Sequence, residues 1–295
     1  MKECFKSTKF SQESLDRIEQ ANDIIHEYLR QGLRLTLRQL YYQFVSKALI
    51  PNEEKSYKNL GGIISKGRLA GLIDWDAIED RMRRPQMPPQ FDSIQTLVDG
   101  ALRAYRLPRR RGQEFYVELW VEKDALAGVL APIARKYHIT LMVNRGYSSS
   151  SAMYEAAKRI EGEMAEDESE CAIIFYLGDL DPSGEDMVRD IQERLSLFGS
   201  YAEVRKLALT MDQVQQYNPP PNPTKLSDSR ARGFIEKYGT SSWEVDALPP
   251  TALRDLIEGV MDIHTDQELV DGVIEREDSD KKRLQEAVKE IQNDA

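Results

Sequence analysis

The stretch Ala172-Ile173-Ile174-Phe175-Tyr176-Leu177-Gly178-Asp179-Leu180-Asp181-Pro182-Ser183-Gly184 decides the fold. Six mostly apolar residues run into two carboxylates one residue apart, and a Pro-Ser-Gly turn follows. An apolar run of this length between turn residues reads as a strand buried on both faces of a parallel sheet. Side chains at i and i+2 of an extended chain leave on the same side. Asp179 and Asp181 are therefore expected to converge at the carboxyl edge of the sheet, where open α/β folds place their ligands. Two carboxylates held there repel unless a cation lies between them, and oxygen-only ligation favours Mg²⁺ or Mn²⁺. The competing reading is a turn whose aspartate caps the next helix.

Outward from this strand the chain alternates strands and helices, the pattern of a mainly parallel sheet with crossover helices. Strands are expected near Phe115–Val121, Thr140–Val143, Ala172–Leu177 and Ala202–Leu209, with helices near 124–137, 150–165 and 184–197. The first strand ends in Trp120-Val121-Glu122-Lys123-Asp124. Glu122 should thus share the edge of Asp179 and Asp181, unless it pairs with Lys123 or an arginine. Three acids at one rim point to a metal centre in which one group acts as general acid or base and the others hold the ion. Further on come a proline-stiffened loop at Asn218–Pro223, a helix near Ser229–Tyr238, the acidic segment Trp243–Leu248 and acidic amphipathic helices from Thr251 to the end.

The N-terminal part reads differently. Residues 11–31 carry Leu15, Ile18, Ala21, Ile24, Ile25 and Tyr28 at helical spacing, with Gly32 as the stop. Thr36-Leu37-Arg38-Gln39 matches a capping box, and Leu35 and Leu40 are spaced as a hydrophobic staple. In the helix that follows, Leu37, Leu40, Tyr41, Phe44 and Val45 share the apolar face, which leaves Tyr42 exposed beside Arg38 at i, i+4. A tyrosine next to a guanidinium is a candidate nucleophile toward phosphate, with the arginine steadying the charge; a surface tyrosine stacked on arginine is the simpler alternative. A third helix over Tyr57–Gly67 and a wing over Arg68–Ile73, turning at Asp74-Trp75-Asp76, complete a helix-turn-helix plan with an appended hairpin. Arg81 to Pro89 reads as a linker, and 92–106 as one more helix.

Length and charge bound the rest. A chain of 295 residues fits two domains. The net charge is −10, but residues 1–111 hold 20 basic against 14 acidic residues, and 112–295 hold 20 against 36. That asymmetry fits a nucleic-acid arm joined to a metal domain, or charge complementarity between two domains. The basic groups expected to meet DNA are Lys66, Arg68, Arg109, Arg110 and Arg111, beside a further cluster at Arg81, Arg83 and Arg84. Two distant cysteines, Cys4 and Cys171, argue against a disulfide framework and for a cytoplasmic setting. The histidines His26, His138 and His264 lack zinc-ligand spacing. No apolar run approaches the ~20 residues of a membrane span, and no signal-peptide pattern is seen.

Taken together, these motifs resemble a known family. Val121-Glu122-Lys123-Asp124-Ala125 with Gly178-Asp179-Leu180-Asp181-Pro182-Ser183-Gly184 resembles the Toprim fold, and most closely the topoisomerase VI A subunit and its relative, the meiotic double-strand-break transesterase. Thr36-Leu37-Arg38-Gln39-Leu40-Tyr41-Tyr42 is similar to the tyrosine motif of that family's winged-helix domain. The resemblance spans about residues 11–250 and implies a winged-helix domain over 1–90, a helix and basic linker over 91–112, a Toprim domain over 113–250 and acidic helices over 251–295. It further implies Mg²⁺-dependent (or Mn²⁺-dependent) cleavage of double-stranded DNA, with Tyr42 forming a 5′-phosphotyrosyl link and Arg38 orienting the phosphate. Asp179 and Asp181 would hold the metal, with Glu122 a ligand or proton shuttle. Glu244 and Asp246 match a late acidic segment of the family and are expected behind the first ligands or at a second metal. A homodimer with shared active sites is implied, and a further ATPase or condensin-like subunit is a candidate partner. Two alternatives stand beside it: a Toprim nuclease that uses metal-activated water, and a non-catalytic DNA-binding subunit.

Overall fold

The computed structural model describes residues 2–78, 90–144, 146 and 148–293. The linker expected over 81–89, with Arg81, Arg83 and Arg84, lies outside the described residues. Helix α1 (Gln12–Leu29) buries Ile18, Ala21, Ile24, Ile25 and Tyr28, the face read from their spacing. Helix α2 (Leu37–Ser46) starts at the expected capping box: the Gln39 amide donates to Thr36 Oγ1 at 3.2 Å, and the Thr36 amide to Gln39 Oε1 at 2.9 Å. Helix α3 (Glu54–Leu69) packs Leu60 and Ile64 into the same cluster as Leu35, Leu40 and Phe44.

The wing does not form as expected among the described residues. Arg68 and Leu69 still belong to α3, and Ala70 caps it. The apolar residues Leu69, Ala70, Leu72 and Ile73 do not alternate, so no half-buried strand can be cut from them. The chain instead makes two isolated bridges, Cys4 with Ala70 and Leu35 with Ile78. Helix α4 (Ile94–Ala104) follows, with no buried residue along its length and Ile94 exposed.

The second part is an α/β unit. Strand β1 (Phe115–Val121), helix α5 (Ala127–Tyr137), strand β2 (Thr140–Val143), helix α6 (Ser150–Glu166), strand β3 (Cys171–Leu177), helix α7 (Pro182–Leu197) and strand β4 (Glu203–Ala208) succeed one another. All four strands are parallel, in the order β2-β1-β3-β4, with Trp120 opposite Tyr176 and Val121 opposite Leu177. Strand alternation sorts the two faces. Val117, Leu119 and Val121 join Ile173, Phe175 and Leu177 on one face, while Tyr116, Trp120, Ile174 and Tyr176 lie on the other. Helix α5 covers the first face, and α6 and α7 cover the second. Cys171, at the open start of β3, is exposed rather than buried, and both cysteines are free.

Helix α8 (Met211–Tyr217), a two-residue pair of β5 (Asn222–Pro223) with β6 (Ser241–Ser242), and helix α9 (Ala231–Tyr238) precede a single helical turn over Val245–Ala247. Helix α10 (Pro250–Ile263) then returns to the sheet and buries Leu253, Ile257 and Met261 beside the strand residues. It therefore completes the sheet's core, and the α/β unit extends past residue 250. Helix α11 (Gln267–Asn293) is tied down through Glu277, which accepts from the Leu107 amide at 3.1 Å and from Arg109 at 3.2 Å. Among the described residues no helix is long and apolar enough to cross a membrane.

The topology prepares one crevice. The chain leaves β1 toward β2 on one side and leaves β3 toward β4 on the other, so the connections diverge above the adjacent carboxyl ends of β1 and β3. Such a switch point is where open α/β sheets bind ligands.

Candidate functional site

Glu122 follows β1 and Asp179 follows β3, so these two acids flank the switch point. Glu122 Oε2 accepts the Asp179 amide at 3.2 Å and the Tyr176 hydroxyl at 3.4 Å. Two glycines make the approach tight. A Cβ on Gly178 would lie 2.5 Å from the Tyr176 ring, and one on Gly184 would overlap the Asp179 carbonyl oxygen. Only glycine lets α7 start this close to the end of β3.

Asp179 and Asp181 do not act as a matched pair. Asp181 Oδ1 caps α7, accepting the Gly184 amide at 2.7 Å and the Ser183 hydroxyl at 2.9 Å. Asp179 Oδ1 accepts the Val245 amide at 2.9 Å and lies 2.9 Å from Lys123 Nζ. The capping reading thus holds for Asp181, while Asp179 turns instead to Val245 and Lys123. Burial drives the Asp179 carboxyl up, Lys123 pulls it down, and Glu122 and Asp246 push it up again, leaving it at about 7. Burial, followed by Glu122, Asp179 and Asp181, raises the Tyr176 hydroxyl far above its ordinary value.

Lys123 does not pair with Glu122. Its backbone is extended, so its side chain leaves on the opposite side from Glu122. Its ammonium sits 2.8 Å from Glu244 Oε2, 3.0 Å from Asp246 Oδ1 and 2.9 Å from Asp179 Oδ1. Burial opposes that charge, but Asp246, Asp179 and Glu244 outweigh it and hold Lys123 protonated. Arg38 reaches the same two late acids across the seam between the helical and α/β parts: its Nε donates to Asp246 Oδ2 at 2.7 Å and its Nη2 to Glu244 Oε2. Burial works to raise the Glu244 carboxyl, but Lys123 and Arg38 hold it well below the usual range.

Tyr42 departs from the sequence reading. It is only 4% exposed, because the turn Val245–Ala247 packs over the side of α2 that was expected to face solvent. Gln39 and Gln43 are buried on that side as well. The Tyr42 hydroxyl still meets Arg38 Nη2 at 3.3 Å, the i, i+4 contact that spacing implied. Burial, Asp246 and Glu244 push the pKa of the Tyr42 phenol far above its ordinary value, against the opposing pull of Arg38, so the phenol is protonated at rest. Arg38, Tyr41, Tyr42, Asn52, Asn222 and Glu244 line a cleft of about 240 Å³. A larger groove, about 960 Å³, lies over α1 beside Asp23 and Arg30 and has no part in this cluster.

The basic residues assigned to DNA divide. Arg110 is a structural clamp: only 5% exposed, it donates to the carbonyls of Phe115 at 2.7 Å and His264 at 3.1 Å and to Thr265 at 2.9 Å. Arg109 is held by Glu277 at 3.2 Å. Neither guanidinium is available to phosphate, because each fastens the chain near β1 to the C-terminal helices. Arg111 lies on the surface 4.0 Å from Glu168, Arg68 stacks 4.6 Å over the Trp75 ring, and Lys66 is exposed.

Among the described residues no three carboxylate, histidine or cysteine groups are already arranged around a metal position. The cause is local: Asp181 is turned onto α7, and Lys123 is inserted between Asp179 and the late acids. By chemistry alone, the donor set would suit a hard cation. Glu122 Oε1, Asp179 Oδ2 and Asp181 Oδ2 accept no hydrogen bond from any described residue, and all are carboxylate oxygens. Beyond β2, Asn144 is 8% exposed, with neither amide atom partnered among the described residues, while its backbone donates to Val121 O at 2.8 Å. Sequence reasoning missed Lys123, Tyr176 and Asn144. Strand parity could have found the first two, since Tyr176 aligns with Glu122 and Lys123 opposes it.

No family model and no curated protein matches the chain.

Proposed function

We propose that the chain is a DNA-cleaving enzyme with a helical N-terminal domain of helix-turn-helix plan followed by a Toprim-type domain, similar in plan to the topoisomerase VI A subunit. The observation that carries this reading is one continuous polar chain. It runs from the Tyr42 hydroxyl through Arg38 to Glu244 and Asp246, then through Lys123 to Asp179 at the sheet rim. Residues some 200 positions apart join a phenol and a phosphate-binding guanidinium to the rim acids, an arrangement with no evident purpose in a purely structural seam.

Glu122, Asp179 and Asp181 would hold Mg²⁺ or Mn²⁺ through their unpaired oxygens. Glu122 is assigned as a ligand rather than an acid because its other oxygen serves as an acceptor twice. When bound, the ion supplies charge neutralisation at the phosphoryl oxygens. Tyr42 Oη attacks the phosphorus and gives up its proton to solvent once DNA has uncovered it. The new bond is a 5′-phosphotyrosyl ester, the P–O3′ bond breaks, and the leaving 3′-oxygen takes a proton from solvent. Arg38 balances the developing charge. For this step DNA must draw Arg38 away from Glu244 and Asp246 and uncover Tyr42. The implied homodimer, in which Tyr42 of one protomer serves its partner's acids, belongs to the same reading.

One observation favours a second reading. The burial of Tyr42 and its strongly held proton suit a hydrolytic Toprim nuclease, in which water attacks and Tyr42 only supports Arg38. Supercoiled plasmid incubated with protein and Mg²⁺, then quenched with detergent, separates the two. Protein bound covalently to 5′ ends, lost in Tyr42→Phe, supports transesterification; free 5′-phosphates made equally well by Tyr42→Phe support hydrolysis. Intact plasmid at all Mg²⁺ and Mn²⁺ concentrations rejects both.

A further inference from the structure

We infer that the seam between the helical part and the α/β unit is a latch, which a phosphodiester opens by taking Arg38 from Glu244 and Asp246. This rests on the DNA reading above and goes beyond it: the closed seam is a resting state that opposes DNA binding, whatever chemistry follows. The apolar hold across the seam is small. Among the described residues, only Val129 and Ala247 of the α/β unit are buried in the helical core. The polar hold has two points. Arg38 Nε donates to Asp246 Oδ2 at 2.7 Å and its Nη2 to Glu244 Oε2. Asn52 Nδ2 donates to the Pro221 carbonyl at 3.2 Å and to Asn222 Oδ1 at 2.9 Å, and Asn222 Nδ2 donates to Glu244 Oε1 at 3.3 Å.

The Arg38 contact is exchangeable. Its side chain is 41% exposed although both ion pairs are formed, and it lines the open cleft of about 240 Å³, so a phosphate reaches it with the seam closed. A phosphate accepts from a guanidinium with the same charge-assisted geometry as a carboxylate, so one strong contact replaces another. When Arg38 leaves, Lys123 stays 2.8 Å from Glu244 Oε2 and 3.0 Å from Asp246 Oδ1. The fully buried Asp246 side chain therefore keeps a cation beside it. The turn Val245–Ala247 stays with the α/β unit, because Asp179 holds the Val245 amide at 2.9 Å. Parting the seam thus lifts α2 off that turn and uncovers Tyr42.

A ligand that needs Arg38 free binds with its affinity reduced by the fraction of molecules that are open. Weakening the seam therefore strengthens DNA binding, the reverse of losing a contact residue. The test is binding of a short fluorescein-labelled duplex in EDTA, read by anisotropy, so that neither metal nor cleavage contributes. Beside it, acetylation of Tyr42 by N-acetylimidazole in the DNA-free protein is read by mass spectrometry. Glu244→Gln is expected to bind the duplex about tenfold more tightly than the wild type, and Asn222→Ala, which changes no charge, about threefold more tightly. Tyr42 is expected to acetylate faster in both. Unchanged or weaker duplex binding by either variant, or unchanged Tyr42 reactivity, overturns the inference and leaves the DNA reading in place. Each variant carries both readouts, so if one does not fold the other decides. No duplex binding by the wild type and both variants alike removes the DNA reading itself, and this inference with it.

Discussion

Two buried acid–base clusters lie on the same sheet and differ in one respect. In the middle of β1, Glu118 is 0% exposed and completely satisfied. Arg159 grips both its oxygens at 2.9 Å, the Tyr116 hydroxyl donates at 2.7 Å and the Trp120 indole at 2.6 Å. One acid meets one cation, and no lone pair is left to recruit a ligand. At the carboxyl rim, four carboxylates (Glu122, Asp179, Glu244 and Asp246) face two cations (Arg38 and Lys123), with Asp181 beside them. The surplus is negative and includes oxygens without partners among the described residues. Burial of a charge is thus no guide to its role; whether its charge and lone pairs are balanced is.

Removing one acid from each cluster separates the two roles. Asp179→Asn at the rim should lower Mg²⁺-dependent plasmid cleavage by on the order of 10³-fold, about 4 kcal/mol of lost charge stabilisation. Its urea denaturation midpoint should hold or rise, because a carboxyl already pushed up to about 7 by burial loses little on neutralisation. Glu118→Gln should do the reverse. It leaves the Arg159 charge without its partner and costs about 3 kcal/mol in denaturant unfolding, with the cleavage rate per folded molecule unchanged.

The comparison sharpens at Gly184, where packing and site meet. Gly184→Ala drives a methyl into the Asp179 carbonyl and should cost about 2 kcal/mol while weakening metal uptake, read by thermal melting with and without Mn²⁺. An equal loss of stability with unaltered uptake would separate Asp179 from the ion. The smallest effect is expected far from the rim, at Glu277. Burial works to raise its carboxyl, but bonds from Lys281, the Leu107 amide and Arg109 outweigh burial and lower it to about 2. A depressed carboxyl contributes stability in full above its ordinary value of 4.5 and loses it as pH falls toward 2. The melting-temperature gap between wild type and Glu277→Gln should therefore close between those limits.

Much of the fold was legible because β1, β2 and β3 are short, mainly apolar runs bounded by turn residues. The limits read for β1 and β2 match the structure, and β3 gains only Cys171. The capping box at Thr36 and Gln39 was equally plain, since both of its bonds are local. What escaped were the long-range contacts. Helical periodicity placed Tyr42 off the apolar face of α2, but could not foresee that residues 245–247 would cover it. Arg109 and Arg110 sit in a basic run that reads as a DNA-binding patch, yet Glu277 and the carbonyls of Phe115 and His264 claim them. The sequence motif placed Glu122, Asp179 and Asp181 at one rim; it was silent on Lys123 entering between Asp179 and the late acids.

The claim on which the rest depends is that the unbalanced rim takes up a divalent cation. Calorimetric titration of Mg²⁺ into the wild type and Asp179→Asn at pH 8, above the Asp179 midpoint of about 7, tests it directly. Saturable binding to the wild type, absent in Asp179→Asn while Glu118→Gln still binds, is the expected result. A wild type that takes up no ion, or an Asp179→Asn variant that binds as tightly as the wild type, would contradict it.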